Sequence, residues 1–205
     1  MSAPAGSVPL VPPTTPSPAP RRPRAVLVGP PGSGKSTVAR LLARELGVAS
    51  RDTDADVEKA AGKPIGEIFV DDGEPHFRDL EREAVTSALA AHDGVLALGG
   101  GAVLDPLTEA ALAAYSAGGG VVVFLDVTLA HAAPRVGFNQ ARPLLLGNPR
   151  AQWQGLMERR RPIYRRVATI TVTTDARTAV QVAQEVAAAL LARETSSREN
   201  GSPHE

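Results

Sequence analysis

Gly29-Pro30-Pro31-Gly32-Ser33-Gly34-Lys35-Ser36-Thr37 is the stretch on which the reading of this chain turns. Residues 29–36 match G-x-x-x-x-G-K-[ST] in full, a loop that cradles phosphates. Its glycines let several backbone N–H groups turn inward toward one anion. The flanks fit the motif. Arg24–Val28, reading AVLV, predicts a buried strand before the loop. Lys35–Leu46 predicts a helix after it, with Val38, Ala39, Leu41, Leu42 and Leu46 on one face. The positive end of that helix adds to the anion site. The motif points to a nucleoside triphosphate, held by Gly32, Ser33, Gly34, Lys35, Ser36 and Thr37. Lys35 is expected at the β- and γ-phosphates, and the Ser36 hydroxyl on Mg²⁺. The acceptor must be read from elsewhere.

Outward from this loop, short apolar runs alternate with helical patterns. Strands are expected at Val48–Arg51, Val95–Leu98, Val121–Leu125 and Ala168–Thr173. Helices are expected at Thr53–Ala61, Ile65–Val70, Gly73–Ala91, Pro106–Ala117, Thr128–Arg135 and Ala151–Arg161, the last stopping before Pro162. Ala176–Arg193 reads as a closing helix. Such alternation predicts a three-layer α/β fold, a five-stranded parallel sheet with helices on both faces. Runs such as VVVFL suit strands buried on both sides. The folded part is read as 24–193. Residues 1–23, rich in Pro, Ser, Thr and Ala, and residues 194–205 read as tails.

Composition narrows the classes further. There is no cysteine, which excludes disulfides, a thiol nucleophile and thiolate metal ligands, and fits a cytoplasmic setting. Acidic and basic side chains balance at 22 each, without the basic surplus of a nucleic-acid binder. The local cluster of Arg159, Arg160, Arg161, Arg165 and Arg166 has one aromatic neighbour, Tyr164, so no nucleic-acid partner is expected. The N-terminus lacks a basic segment ahead of an apolar one and does not read as a signal peptide. Ala110–Leu125 is broken by Tyr115, Ser116 and three glycines, and does not read as a membrane span.

Three constellations bear on the acceptor. Asp52-Thr53-Asp54 follows the second predicted strand, where ligands gather in open α/β sheets. Two acids there could divide metal and proton duties, or simply cap the next helix. Phe77-Arg78 and Glu81 lie in the long helix. The Arg78–Glu81 spacing allows pairing, either in a site or as an ordinary surface ion pair. Gly99-Gly100-Gly101 permits close approach of a ligand to backbone, or forms a flexible loop.

With the phosphate loop, these blocks resemble the shikimate kinases. The resemblance rests on GPPGSGKST (29–37), DTD (52–54), FR (77–78), LGGGAV (98–103), ARPLL (141–145) and YRR (164–166), in that order and spacing. It implies the P-loop kinase fold, ATP as phosphoryl donor, shikimate as acceptor at its 3-hydroxyl, Mg²⁺, and a lid at 137–150. It further implies Asp54 as the acceptor-binding base and Asp52 and Ser36 on the metal side. Arg78 and Arg165 would hold the acceptor carboxylate, lined by Gly99, Gly100 and Gly101. Glu81 would orient Arg78, and Phe77 would pack beside the acceptor ring. Arg135 would lie near the adenine, and Arg142 of the lid would neutralise the transferring phosphoryl group alongside Lys35.

Three points mark where this chain departs or could mislead. Phe138 puts an apolar side chain in the lid, and Asp79 could compete for Arg78. Val121–Asp126 imitates a strand ending in a metal-binding acid, but DTD is favoured for that role, with Asp126 as a helix cap or loop acid. The alternatives are a gluconate-type kinase and a catalytically silent nucleotide-binding module. A monomer is expected.

Overall fold

The computed structural model describes residues 22–136 and 148–199. The first strand, β1 (Ala25–Val28), is buried at every position. Its side chains alternate between two cores, with Ala25 and Leu27 entering one and Val26 and Val28 the other. A strand buried on both faces needs helices on both sides, and the chain supplies them.

The elements in order are β1, α1 (Lys35–Leu46), β2 (Ser50–Asp52), α2 (Thr53–Ala61), α3 (Ile65–Asp71), α4 (Gly73–Ala91) and β3 (Val95–Ala97). There follow α5 (Pro106–Ala117), β4 (Val122–Asp126), α6 (Leu129–Val136), α7 (Pro149–Val167), β5 (Ile170–Thr173) and α8 (Ala179–Glu199). Among the described residues the strands form one sheet in the order β2-β3-β1-β4-β5, with every pairing parallel. The expected five-stranded α/β architecture is the one observed.

One core packs α1 and α8 on the sheet, through Val38, Leu42, Val182 and Val186. The other packs α4, α5, α6 and α7 on the opposite face, through Val85, Leu112, Ala132, Trp153, Met157 and Tyr164. Tyr164 stacks on Phe124 of β4 with ring centroids 5.1 Å apart. A smaller cluster of Val57, Ile68 and Phe77 joins α2, α3 and α4. Each fully buried Val, Leu or Phe contributes about 1.5–3 kcal/mol, so these cores dominate the stability.

Local signals set the element ends. Gly47 stops α1 with φ 66°, its N–H reaching the carbonyls of Ala43 and Arg44. Asp105 caps α5 by accepting from Leu107 and Thr108 N–H, and Asn148 caps α7 by accepting from Arg150 and Ala151 N–H. Many element ends shift by one to three residues from the sequence reading, and two helix ends shift farther. Helix α7 runs through Pro162, where a stop was expected. Tyr164 and Val167 continue the buried stripe of Trp153 and Met157, and this tertiary burial outweighs the interior proline, about 3 kcal/mol. The carbonyl that Pro162 cannot serve belongs to Glu158, an exposed residue that water can reach. Helix α8 runs on through Glu199 instead of ending at Arg193. Its extra turn is tied by Glu194, which pairs with Arg24 at 2.6 Å.

Register places the site. Leu27, Ala97 and Asp52 are matched across β1, β3 and β2. Gly29, Gly99 and Asp54 therefore each lie two residues farther along, at one carboxyl edge of the sheet.

Candidate active site

The turn from β1 into α1 relies on backbone shapes that glycine adopts freely. Gly32 and Gly34 have φ of +83° and +89°. At Gly32 the space is closed as well, since a Cβ would lie 2.6 Å from Val136 Cγ2. Ser33 N–H closes the turn on the Pro30 carbonyl at 3.2 Å. The Ser33 side chain is buried, and its Oγ has no hydrogen-bond partner among the described residues. Lys35 Nζ donates to the carbonyls of Gly29 (2.9 Å) and Pro30 (3.2 Å). Burial lowers the Lys35 pKa, the charges of Asp54 and Asp52 oppose this, and Arg160 adds to the lowering. Ser36 and Thr37 are exposed in the first turn of α1.

Arg135 in α6 bridges the two walls beside this loop. It donates to the Gly32 carbonyl and Thr174 Oγ1, both at 3.3 Å, and to the Thr174 carbonyl at 3.2 Å. It borders a cavity of about 240 Å³ that Ser33, Gly34, Thr37, Arg177 and Val182 also line.

The acceptor side is built around Gly99-Gly100-Gly101. Gly99 N–H donates to Thr53 Oγ1 at 3.0 Å, so the buried middle residue of DTD pins the glycine loop to the start of α2. The sequence reading missed Thr53 because only the flanking acids looked chemical. Asp52 does cap α2, accepting from Asp54 N–H at 3.1 Å. Asp54 is the second residue of α2, in its first turn. A Cβ at Gly99 would lie 2.5 Å from both Asp54 Oδ1 and Glu81 Oε1. A Cβ at Gly101 would overlap the Arg78 guanidinium, and one at Gly100 would press on Pro31 Cδ at 3.3 Å. These glycines are required by contact, not by strain.

Arg78 and Glu81 are no solvated surface pair. Glu81 is 3% exposed. Arg78 Nη1 donates to Glu81 Oε2 at 2.6 Å, and Nη2 to Glu74 Oε1 at 2.9 Å. Burial disfavours the Arg78 charge, but these two carboxylates more than offset it and hold its pKa above the ordinary value. Burial pushes the Glu81 carboxyl up, against the pull of Arg78 and Arg160. Phe77 is 5% exposed and packs on Phe69 (4.6 Å between centroids), with the Arg78 guanidinium 5.0 Å over its ring. It therefore supports Arg78 from below instead of facing an acceptor. Asp79 pairs with Arg82 and does not compete for Arg78.

Arg165 corrects the sequence reading. Its side chain is 63% exposed, and its charged partner is Asp126 at 3.9 Å. Arg160 stands in the place expected for it. Arg160 Nη1 and the Tyr164 hydroxyl both donate to the Gly100 carbonyl, at 2.9 and 2.5 Å. The Arg160 charge acts on Lys35, Glu81 and Tyr164 alike. Helix geometry explains the swap. Residues 160 and 164 are one turn apart and share the inward face, as 161 and 165 share the next face. Arg161 meets Asp126 at 3.0 Å, so Asp126 is a loop acid engaged by arginines. Arg166 pairs with Glu109 at 2.5 Å. The buried positions 153, 157, 164 and 167 carry the signal that would have found Arg160.

Tyr164 offers a check on this packing. Burial pushes its hydroxyl pKa up to about 12, with Arg160 lowering it. Tyr164→Phe keeps the stack and removes one hydrogen bond, and should cost about 1 kcal/mol. Thermal unfolding should read this as a Tm about 2–4 °C lower.

A family profile for shikimate kinase matches residues 31–191. A shikimate kinase of Salinispora arenicola is 60% identical over 170 residues, covering 83% of this chain and 99% of the relative. One of Thermobifida fusca is 54% identical over 166 residues, covering 81% and 94%. The chain belongs to the shikimate kinase family. A solved structure of shikimate kinase from Acinetobacter baumannii in complex with shikimate superposes with a TM-score of 0.77 at 33% identity, covering 85% of this chain and 95% of that one.

A kinase of this family uses ATP, and the donor set here suits a hard divalent cation. Ser36 offers a hydroxyl and Asp52 a carboxylate whose charge reaches Lys35 and Asp54. Oxygen-only, sparse protein ligation is what Mg²⁺ accepts when phosphates and water complete its shell. Among the described residues no cluster of three or more His, Cys, Asp or Glu could hold a metal alone. Among them, too, no helix is long and apolar enough to cross a membrane. Arg142, Phe138 and the rest of segment 137–147 lie outside the described residues.

Proposed function

We propose that this shikimate kinase family member transfers the γ-phosphoryl group of ATP to the 3-hydroxyl of shikimate. One observation carries the reading. Along Gly99–Gly101, the Asp54 and Glu81 carboxylates stand beside Gly99, Arg160 meets the Gly100 carbonyl and the Arg78 guanidinium stands beside Gly101, which suits an acceptor with a hydroxyl and a carboxylate. Arg78 and Arg160 hold the acceptor carboxylate, since paired planar donors match it. Glu81 and Phe77 keep Arg78 in place. Asp54, beside Gly99, orients the 3-hydroxyl and takes its proton. Gly32, Ser33, Gly34, Ser36 and Thr37 present the phosphates, and Arg135 borders the nucleoside. As the acceptor oxygen bonds to the γ-phosphorus, the bond to the β,γ-bridging oxygen breaks and ADP leaves. Lys35 meets the developing charge, joined by Arg142. Ser36 and Asp52 would hold Mg²⁺, which would supply further neutralisation of the phosphate oxygens. The enzyme works in this reading as a cytoplasmic monomer. The exposed Val70, Leu107, Val180 and Leu191 are scattered over α3, α5 and α8 and support that state.

Phosphorus–proton correlation spectra of a reaction with Mg-ATP and shikimate test the chemistry. The expected product is one phosphomonoester coupled to H3. Coupling to another ring proton would overturn the regiochemistry, and no phosphomonoester would overturn the activity.

A further inference from the structure

We infer that Trp153 is a positioning residue for phosphoryl transfer, fixing the nucleotide loop against the acceptor loop. The inference rests on the kinase reading above and goes beyond it, because Trp153 touches neither substrate in that reading. Trp153 is 6% exposed, and its indole Nε1–H donates to the Pro31 carbonyl at 3.3 Å. Two and three turns farther along α7, Arg160 and Tyr164 donate to the Gly100 carbonyl. Residues 153, 160 and 164 lie on one helix stripe, since steps of seven and four residues keep a face. The two loops that α7 holds also touch each other. A Cβ on Gly100 would meet Pro31 Cδ at 3.3 Å and the Gly29 carbonyl at 3.5 Å.

One helix face thus grips the outer edge of the phosphate loop with one hydrogen bond and the acceptor loop with two. A rigid element bonded to both loops fixes the spacing between donor and acceptor. In-line transfer is sensitive to that spacing, and a misplacement of about 1 Å can cost about 10²-fold in rate. Each loop, by contrast, keeps its own ligand contacts without the indole. Loss of the Trp153 hydrogen bond should therefore depress the transfer step and leave each substrate's binding nearly intact.

Trp153→Phe keeps the aromatic bulk and deletes the donor. Steady-state kinetics with Mg-ATP and shikimate should show kcat about 5- to 20-fold lower, with both KM values within about twofold. Slow hydrolysis of ATP without shikimate needs only the nucleotide loop and should hold within about twofold, so the ratio of transfer to hydrolysis falls. A loss of folded enzyme would lower both rates together and leave their ratio unchanged, which contradicts the inference. Unchanged kcat in Trp153→Phe also overturns it, as does a rise in KM with kcat retained. Should that variant not fold, Trp153→Met, which also fills apolar space without a donor, is expected to show the same fall in the ratio, and an unchanged ratio would overturn the inference. Wild-type enzyme inactive toward shikimate would instead refute the underlying kinase reading.

Discussion

Asp54→Asn should lower kcat by about 10²–10⁴-fold, the range for removing a positioned general base, while making the protein more stable. Both effects come from one environment. Burial first, and then the charge of Asp52, raise the Asp54 pKa from 3.8 to about 6 against the opposing charge of Lys35, with Glu81 and Glu58 adding smaller upward pushes. Between pH 3.8 and about 6 the folded chain keeps a proton that the unfolded chain releases. Stability from this group therefore falls as pH rises through that window, and the full penalty is present at pH 7. Asparagine removes the charge and the penalty. A shift of this size corresponds to about 3 kcal/mol at full weight, and partial exposure of the carboxylate reduces that to about 1–2 kcal/mol. In EDTA at pH 7, Asp54→Asn should melt about 2–6 °C higher than wild type, and the gap should close below pH 4. A variant that melts lower at pH 7 would contradict the electrostatic account, and near-normal kcat would remove Asp54 from the proton transfer.

Arg160→Ala should lower kcat/KM for shikimate by about 10²–10³-fold, mostly through KM, because it deletes one of two charged donors to a desolvated carboxylate. Arg165→Ala should change it by about twofold at most, as expected for an exposed arginine. Arg160→Lys should recover little, since an ammonium lacks the planar pair of donors. The contrast between positions 160 and 165 is the informative part. If Arg165→Ala gives the larger loss, the placement of α7 against Gly100 is wrong.

That contrast also shows how far the sequence could be read. The phosphate loop, the alternation of strands and helices, and the glycine run at Gly99–Gly101 follow from local signals, and those signals agree with one another. Asp54 and Arg78 stand out as candidates because their motifs sit beside the elements that aim them. The choice among five neighbouring arginines was not local. It depends on which face of α7 turns toward Gly100, and Pro162 obscured that face by suggesting that the helix ends. Tertiary burial of Trp153, Met157, Tyr164 and Val167 overrides the proline, and with it fixes Arg160 inward and Arg165 outward. Phe77 was misread for a related reason. An aromatic beside an arginine of the candidate site looks like a wall of that site, but its helix turns it into the core with Phe69. Thr53 was hidden because its contribution is a single hydrogen bond to a backbone N–H 46 residues away.

Acceptor-dependent ADP release tests the central claim most directly. With Mg-ATP fixed, shikimate, gluconate and AMP should be compared in parallel against a no-acceptor control. The account predicts strong stimulation by shikimate alone. Stimulation by gluconate or AMP without shikimate, or by none of the three, would contradict the acceptor assignment and every residue role that depends on it.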